Sequence, residues 1–190
     1  MTDVPPLFIL RHGQTEWNLQ GRLQGRFDSP LTDLGRAQAE TQRTILRQQN
    51  LHGFHAVSSP QGRAMATARI ALKDVRAPIA EDRALAEIGL GEWAGKHRAE
   101  LVAEYGLRDG FDLYDHAPGG EGFAGLRQRV TAFLRRLDAP TVIVTHGMTS
   151  RMLRLVLTDR PTAAIREIDG GQGVVFQVEN GRQHRLSLRG

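Results

Sequence analysis

The stretch FILRHGQT, Phe8 to Thr15, sets Arg11 and His12 directly against the end of a short apolar run. Such a run, bounded by turn residues, reads as a buried strand, so Leu7 to Leu10 is a strand and Arg11-His12-Gly13 stands at its carboxyl end. Two other runs repeat the arrangement: AVSS is followed by Pro60-Gln61-Gly62-Arg63, and VIVT by His146-Gly147. Helical patterns separate the three. Strands alternating with helices imply a largely parallel sheet covered on both faces. In such a sheet the carboxyl ends share one edge, and ligands bind there. Two arginines and two histidines, distant in sequence, are therefore expected to meet in one cleft.

The remaining pattern fills in the layers. Thr32 is the expected N-cap of a helix on which Leu34, Gln38, Thr41 and Ile45 keep helical spacing. A second helix runs from about Gly62 to Lys73, and a short one lies near Arg98 to Tyr105. FAGLRQRVTAFLRRL places Phe123, Leu126, Val130, Phe133, Leu134 and Leu137 on one face, and a last helix spans about Met148 to Thr158. Pro78 marks PIAED as an edge strand. GVVFQVENGRQHRLSL reads as a hairpin turning at Asn180-Gly181. The expected architecture is α/β, a three-layer α/β/α sandwich with a mostly parallel sheet and an antiparallel C-terminal strand, forming a single domain over residues 1–190.

Composition narrows the function. The 190 residues are 40% hydrophobic, enough for a sizeable core. No apolar run approaches the roughly 20 residues of a membrane-spanning helix, and MTDVPPLFIL does not read as a secretory signal, so a cytoplasmic protein is expected. Cysteine is absent, which removes disulfides, thiolate nucleophiles and zinc–cysteine sites. Of the 25 basic residues only Lys73 and Lys96 are lysine, and the net charge is +4. That excess of arginine fits either a compositional preference or a cleft for phosphate-bearing ligands. Nucleic acid is not expected, because the arginines are interspersed with acids and aromatics are only 6%.

Two arginines beside two histidines suit phosphoryl transfer. Guanidinium forks match phosphoryl oxygens and stabilise the charge developed in transfer. A neutral histidine among them acts as nucleophile on phosphorus, and nearby cations keep its lone pair free. Departure of an alkoxide needs a proton; LAEIGLGEW offers Glu87 first and Glu92 second. His52 and His55 have a helical metal spacing but no third ligand, so no metal site is expected. They join His97, His116 and His184 as residues of no assigned role. Trp93 is expected in the core. Arg22, Arg26, Arg36, Arg43 and Arg47 are expected on a solvated face, with substrate contact the alternative for Arg22 or Arg26, and Glu121 either touches the pocket or caps the helix after it.

RHGQTEWN, SSPQGRAMATA, LAEIGLGEWAG, PGGEGF and VTHGMTSR, in this order from about residue 8 to 155, resemble the motif series of the histidine phosphatase superfamily, with its phosphoglycerate mutase-like fold. The resemblance implies His12 as the phosphorylated nucleophile, Arg11 and Arg63 on the phosphoryl group, and His146 completing the pocket. It further implies Asn18 as a phosphate donor, Gln24 and Gly25 lining the substrate side, Glu87 as proton donor, and neither metal nor organic cofactor.

Hydrolysis and phosphoryl shuttling share this pocket. The segment KHRAELVAEYGLRDGFDLYDHAPGG is short and carries Asp109, Asp112 and Asp115, and the chain stops soon after the hairpin. An open site with an acidic flank would favour attack by water. The expectation is thus a compact, metal-independent phosphomonoesterase acting on a small phosphorylated metabolite, as monomer or homodimer, away from membranes. Phosphoglycerate mutase-type transfer and hydrolysis of α-ribazole phosphate are the alternatives.

Overall fold

The computed structural model describes residues 4–188; residues 1–3 and the last two of SLRG lie outside the described residues. In chain order the strands and α-helices are β1 (Leu7–Arg11), α1 (Glu16–Leu19), α2 (Asp33–Leu46), β2 (His55–Ser58), α3 (Gly62–Ala71), β3 (Ile79–Glu81), α4 (Arg98–Glu104), α5 (Asp112–His116), α6 (Gly122–Leu134), β4 (Thr141–Thr145), α7 (Gly147–Leu157), β5 (Val175–Glu179) and β6 (Arg182–Leu186). The sheet order is β3-β2-β4-β1-β5-β6. The first four strands are parallel; β5 runs antiparallel to β1, and β6 antiparallel to β5. Asn180 and Gly181, both at positive φ (50° and 71°), close the hairpin, as a two-residue primed turn demands.

The two-residue side-chain period of the strands builds the layers. Leu7 and Ile9, with Ile143, pack against Leu126, Val130 and Phe133 of α6 and Met152 and Leu153 of α7. Phe8 and Leu10, with Val142 and Val144, face Ile45 and Leu46 of α2 and Ala64 and Ala68 of α3. Each fully buried Leu or Ile contributes about 1.5–3 kcal/mol relative to exposure. A third cluster, Leu23, Leu90, Trp93, Leu101 and Leu113, ties the 87–118 region to the loop after α1, and Trp93 is core. Among the described residues no helix is long and apolar enough to cross a membrane.

Three expectations need correction. The buried face of α2 is Gly35, Ala39, Gln42, Ile45 and Leu46, while Leu34 is 54% exposed. The reason is a backbone-to-backbone approach. A Cβ on Gly35 would lie 2.0 Å from the carbonyl oxygen of Gln14, and one on Gly13 would lie 2.1 Å from that of Gly35. Thr32 secures the approach by capping Gly35 N–H at 3.0 Å.

The acidic flank is not at the site. Asp109 and Asp112 pair with Arg166, and Asp115 accepts from Phe123 N–H at 2.8 Å, capping α6. These acids fasten the segment to its neighbours, so their charge is spent on folding. Glu121 does not cap α6 with its side chain. Its carboxylate forks Arg129 at 2.7 and 2.8 Å and accepts from Gly89 N–H, bracing the loop that carries Glu87.

Candidate active site

The carboxyl ends of β1, β2 and β4 place their polar residues together, as a parallel register requires. His12 leaves β1 with its N–H donating to Thr145 O at 2.9 Å, which binds it to the end of β4. Its ring centroid lies 5.1 Å from that of His146. Arg63, at the start of α3, donates from Nε to His12 Nε2 at 3.3 Å. An arginine only donates, so Nε2 of His12 carries the lone pair. Nδ1 therefore holds the proton and donates to Gly13 O at 2.7 Å. This is the tautomer an attacking Nε2 needs.

Burial, then the charges of Arg63 and Arg11, holds His12 well below the usual histidine range. Burial does the same to His146, followed by Arg63, His12 and Arg11. Both rings are neutral near pH 7. His146 Nε2 is paired with Ser59 Oγ at 2.7 Å, while its Nδ1 is buried without a partner. Arg11 Nε is likewise buried and unpartnered. Unsatisfied buried polar atoms are costly, and both are donors that a bound anion would satisfy.

These depressed values set a pH dependence. The unfolded chain takes up protons below about pH 6.5, the ordinary histidine value, while the folded rings do not. The unfolded state thus binds more protons, so stability rises with pH through that window and is full above it. The expected result is a melting temperature that falls on acidification from pH 7 to 5. The fall should be shallower in His12→Asn and His146→Asn, as thermal denaturation at several pH values would show; equal slopes would contradict the buried neutral rings.

Arg63 is held rigidly. Its terminal nitrogens donate to Phe27 O at 2.6 Å and Asp28 Oδ1 at 3.0 Å, and to Gly25 O at 3.0 Å. Gly25 thereby anchors Arg63 as well as lining the cavity. Gln24 also lines it, with its amide spent on Thr15 Oγ1 (2.7 Å) and Ser29 Oγ (3.2 Å). Asn18 closes a capping box with Thr15 at the start of α1 and reaches the same cavity, of about 230 Å³.

Of the two candidate acids, Glu87 lines this cavity, while Glu92 is exposed on a 3₁₀ turn (Gly91–Trp93). The Oε1 atom of Glu87 accepts from Ile88 N–H, Thr149 N–H and Thr149 Oγ1 at 3.0–3.1 Å. Its Oε2 has one partner, Met148 N–H at 3.2 Å, leaving that oxygen the freer to exchange a proton with a bound ligand.

Much of the cavity wall carries no signal in the sequence. Arg22, Arg98, Phe111, Tyr114 and Arg151 line the cavity with Arg11 and Glu87; of these five only Arg22 carries a sequence-level expectation of substrate contact, and only as the alternative to a solvated face. Arg26 lies outside, in a groove with Gln61 and Arg129. His52 and His55 line a different cavity, near the start of β2. Among the described residues no group of three or more histidine, cysteine, aspartate or glutamate side chains could hold a metal.

The sequence profile described as the histidine phosphatase superfamily (branch 1) matches residues 7–188. The chain is 33% identical over 185 residues to the adenosylcobalamin/alpha-ribazole phosphatase of Salmonella typhimurium, covering 92% of this chain and 86% of the relative. It is 32% identical over 183 residues to the 2,3-bisphosphoglycerate-dependent phosphoglycerate mutase of Cytophaga hutchinsonii, covering 90% and 85%. The crystal structure of a putative alpha-ribazole-5′-P phosphatase from Escherichia coli superposes with a TM-score of 0.81 at 26% identity, over 99% of this chain and 97% of that one. The profile match over residues 7–188 shows that the chain belongs to branch 1 of the histidine phosphatase superfamily.

Proposed function

We propose that the protein hydrolyses small phosphomonoesters through a phosphohistidine intermediate on His12. The observation that carries this reading is the lone pair of His12 Nε2, kept neutral by burial and cations beside Arg11, Arg63 and His146. Nε2 attacks phosphorus and forms the N–P bond as the P–O bond to the leaving group breaks. Protonated Glu87 gives its proton from Oε2 to the departing oxygen. Water then attacks the phosphohistidine, loses a proton to Glu87, and releases phosphate while the N–P bond breaks. Arg11, Arg63, Asn18 and His146 Nδ1 hold the phosphoryl oxygens through both steps, where charge develops. No step calls for a metal or organic cofactor.

A phosphoryl shuttle is the second reading, and one observation favours it. Arg22, Arg98 and Arg151 line the mouth, and none of them forms an ion pair with a carboxylate among the described residues. Arg22 stacks on Trp17, and Arg98 donates to Tyr114 Oη and Gly110 O. Cations left over after a phosphate dianion is bound fit a substrate with a second anionic group.

The test is a panel of metabolite phosphates with chelator present, matched in pairs such as 3-phosphoglycerate and glycerol 3-phosphate. The partner bearing the second anion is expected to have a kcat/KM about 10-fold higher, and Arg98→Gln to erase the difference. Free phosphate as product supports hydrolysis, whereas an isomeric phosphate ester identifies a mutase. Equal rates within every pair would remove the second-anion element.

A further inference from the structure

All the polar atoms of His12 are partnered, and one partner comes from far along the chain. Its carbonyl oxygen accepts from Gln172 Nε2 at 3.3 Å, and the same nitrogen lies 3.4 Å from Asn18 Oδ1. The site of this contact follows from the sheet. β1 and β5 pair from Leu7↔Val178 to Leu10↔Val175 and then part. Where they part, the fully buried Gln42 donates Nε2 to Arg11 O at 2.9 Å and Val174 O at 3.0 Å. Further out, Gln172 spans the wider gap. The loop that carries it is pinned from α7, where Arg151 Nε donates to Ile168 O at 2.9 Å and Arg154 donates to Asp169 O.

We infer that Gln172 is a positioning residue that decides which way the amide of Asn18 faces. Asn18 Oδ1 already accepts from Thr15 N–H at 3.2 Å. With Thr15 and Gln172 both donating to that oxygen, Nδ2 is the atom left to face the cavity, as a donor to a phosphoryl oxygen. Without Gln172 the orientation rests on one hydrogen bond, and a flipped amide offers an acceptor to an anion. Gln172 touches no reacting atom; it acts through Asn18. The inference rests on the reading of this cavity as a phosphoryl site.

Two substitutions keep the bulk and remove the donor: Gln172→Met is neutral, and Gln172→Glu sets a carboxylate against two oxygens. The readouts are the affinity for inorganic phosphate, measured calorimetrically without turnover, and KM against kcat for an aryl phosphate. Gln172→Met is expected to weaken phosphate binding and raise KM about 5- to 10-fold, the worth of a neutral hydrogen bond, and to change kcat less. Gln172→Glu should lose about another 10-fold. Because an orientation acts only on a residue that is present, Gln172→Met in an Asn18→Ala background should change phosphate affinity less than about twofold. Loss of the same size in both backgrounds would overturn the inference, as would wild-type affinity in Gln172→Met. The phosphatase reading fails separately, through turnover that persists in His12→Ala whatever these variants do to phosphate affinity. A wild-type chain that binds no phosphate would overturn both.

Discussion

His12→Ala is expected to lower kcat/KM on aryl phosphates by about 10⁴-fold or more, with folding intact. The size follows from the kind of loss. The substitution removes the only atom that forms the covalent bond, and the arginines left behind stabilise charge without providing a path for it. Alanine also leaves Arg63 Nε without its acceptor, which His12 Nε2 supplies at 3.3 Å. Phosphate binding should therefore survive, since the freed N–H turns to the anion. Steady-state kinetics with calorimetric phosphate titration separates the two effects. A variant that binds phosphate near the wild-type affinity yet turns over no substrate fits the proposal; unchanged turnover ends it.

Glu87→Gln should split substrates by leaving group. Alkyl phosphates release a poor alkoxide and are expected to lose about 10²- to 10⁴-fold in kcat, the range of a lost general acid. Nitrophenyl phosphate, whose oxyanion leaves unaided, should lose less than about 10-fold. The amide preserves the volume of the side chain and an oxygen for Ile88 and Thr149. It sets an NH₂ against Met148 N–H, where Oε2 accepts at 3.2 Å, so a small fall in stability is expected alongside. Equal losses for both substrate types would take the proton-donor role from Glu87.

The parts legible in the sequence were those written as local pattern. Leu7 to Leu10 and Val142 to Val144 are apolar runs that had to be buried, and a parallel register carries whatever follows them to one edge. His12, Arg63 and His146 were placed together on that ground alone. The face of α2 was not legible, because Gly35 packs by having no side chain and so leaves no hydrophobic mark. The acids at 109, 112 and 115 misled for the opposite reason. Their charge is plain in the sequence, but their partners, Arg166 and the N–H of Phe123, are set by tertiary structure. Arg98, Phe111 and Tyr114 lie in a stretch of weak periodicity that only the third core cluster positions. Gln42 and Gln172 are neutral amides whose importance comes from where two strands separate.

In the proposed reaction phosphorus becomes bonded to His12. Rapid quenching of the enzyme with substrate into alkali, which preserves phosphohistidine, followed by peptide mass spectrometry, tests it most directly. A transient phosphoryl group is expected on the peptide containing His12, formed and lost at rates that accommodate kcat and absent from His12→Ala. Steady turnover with no phosphorylated peptide, or with the phosphoryl group on His146 or any other residue, would contradict it.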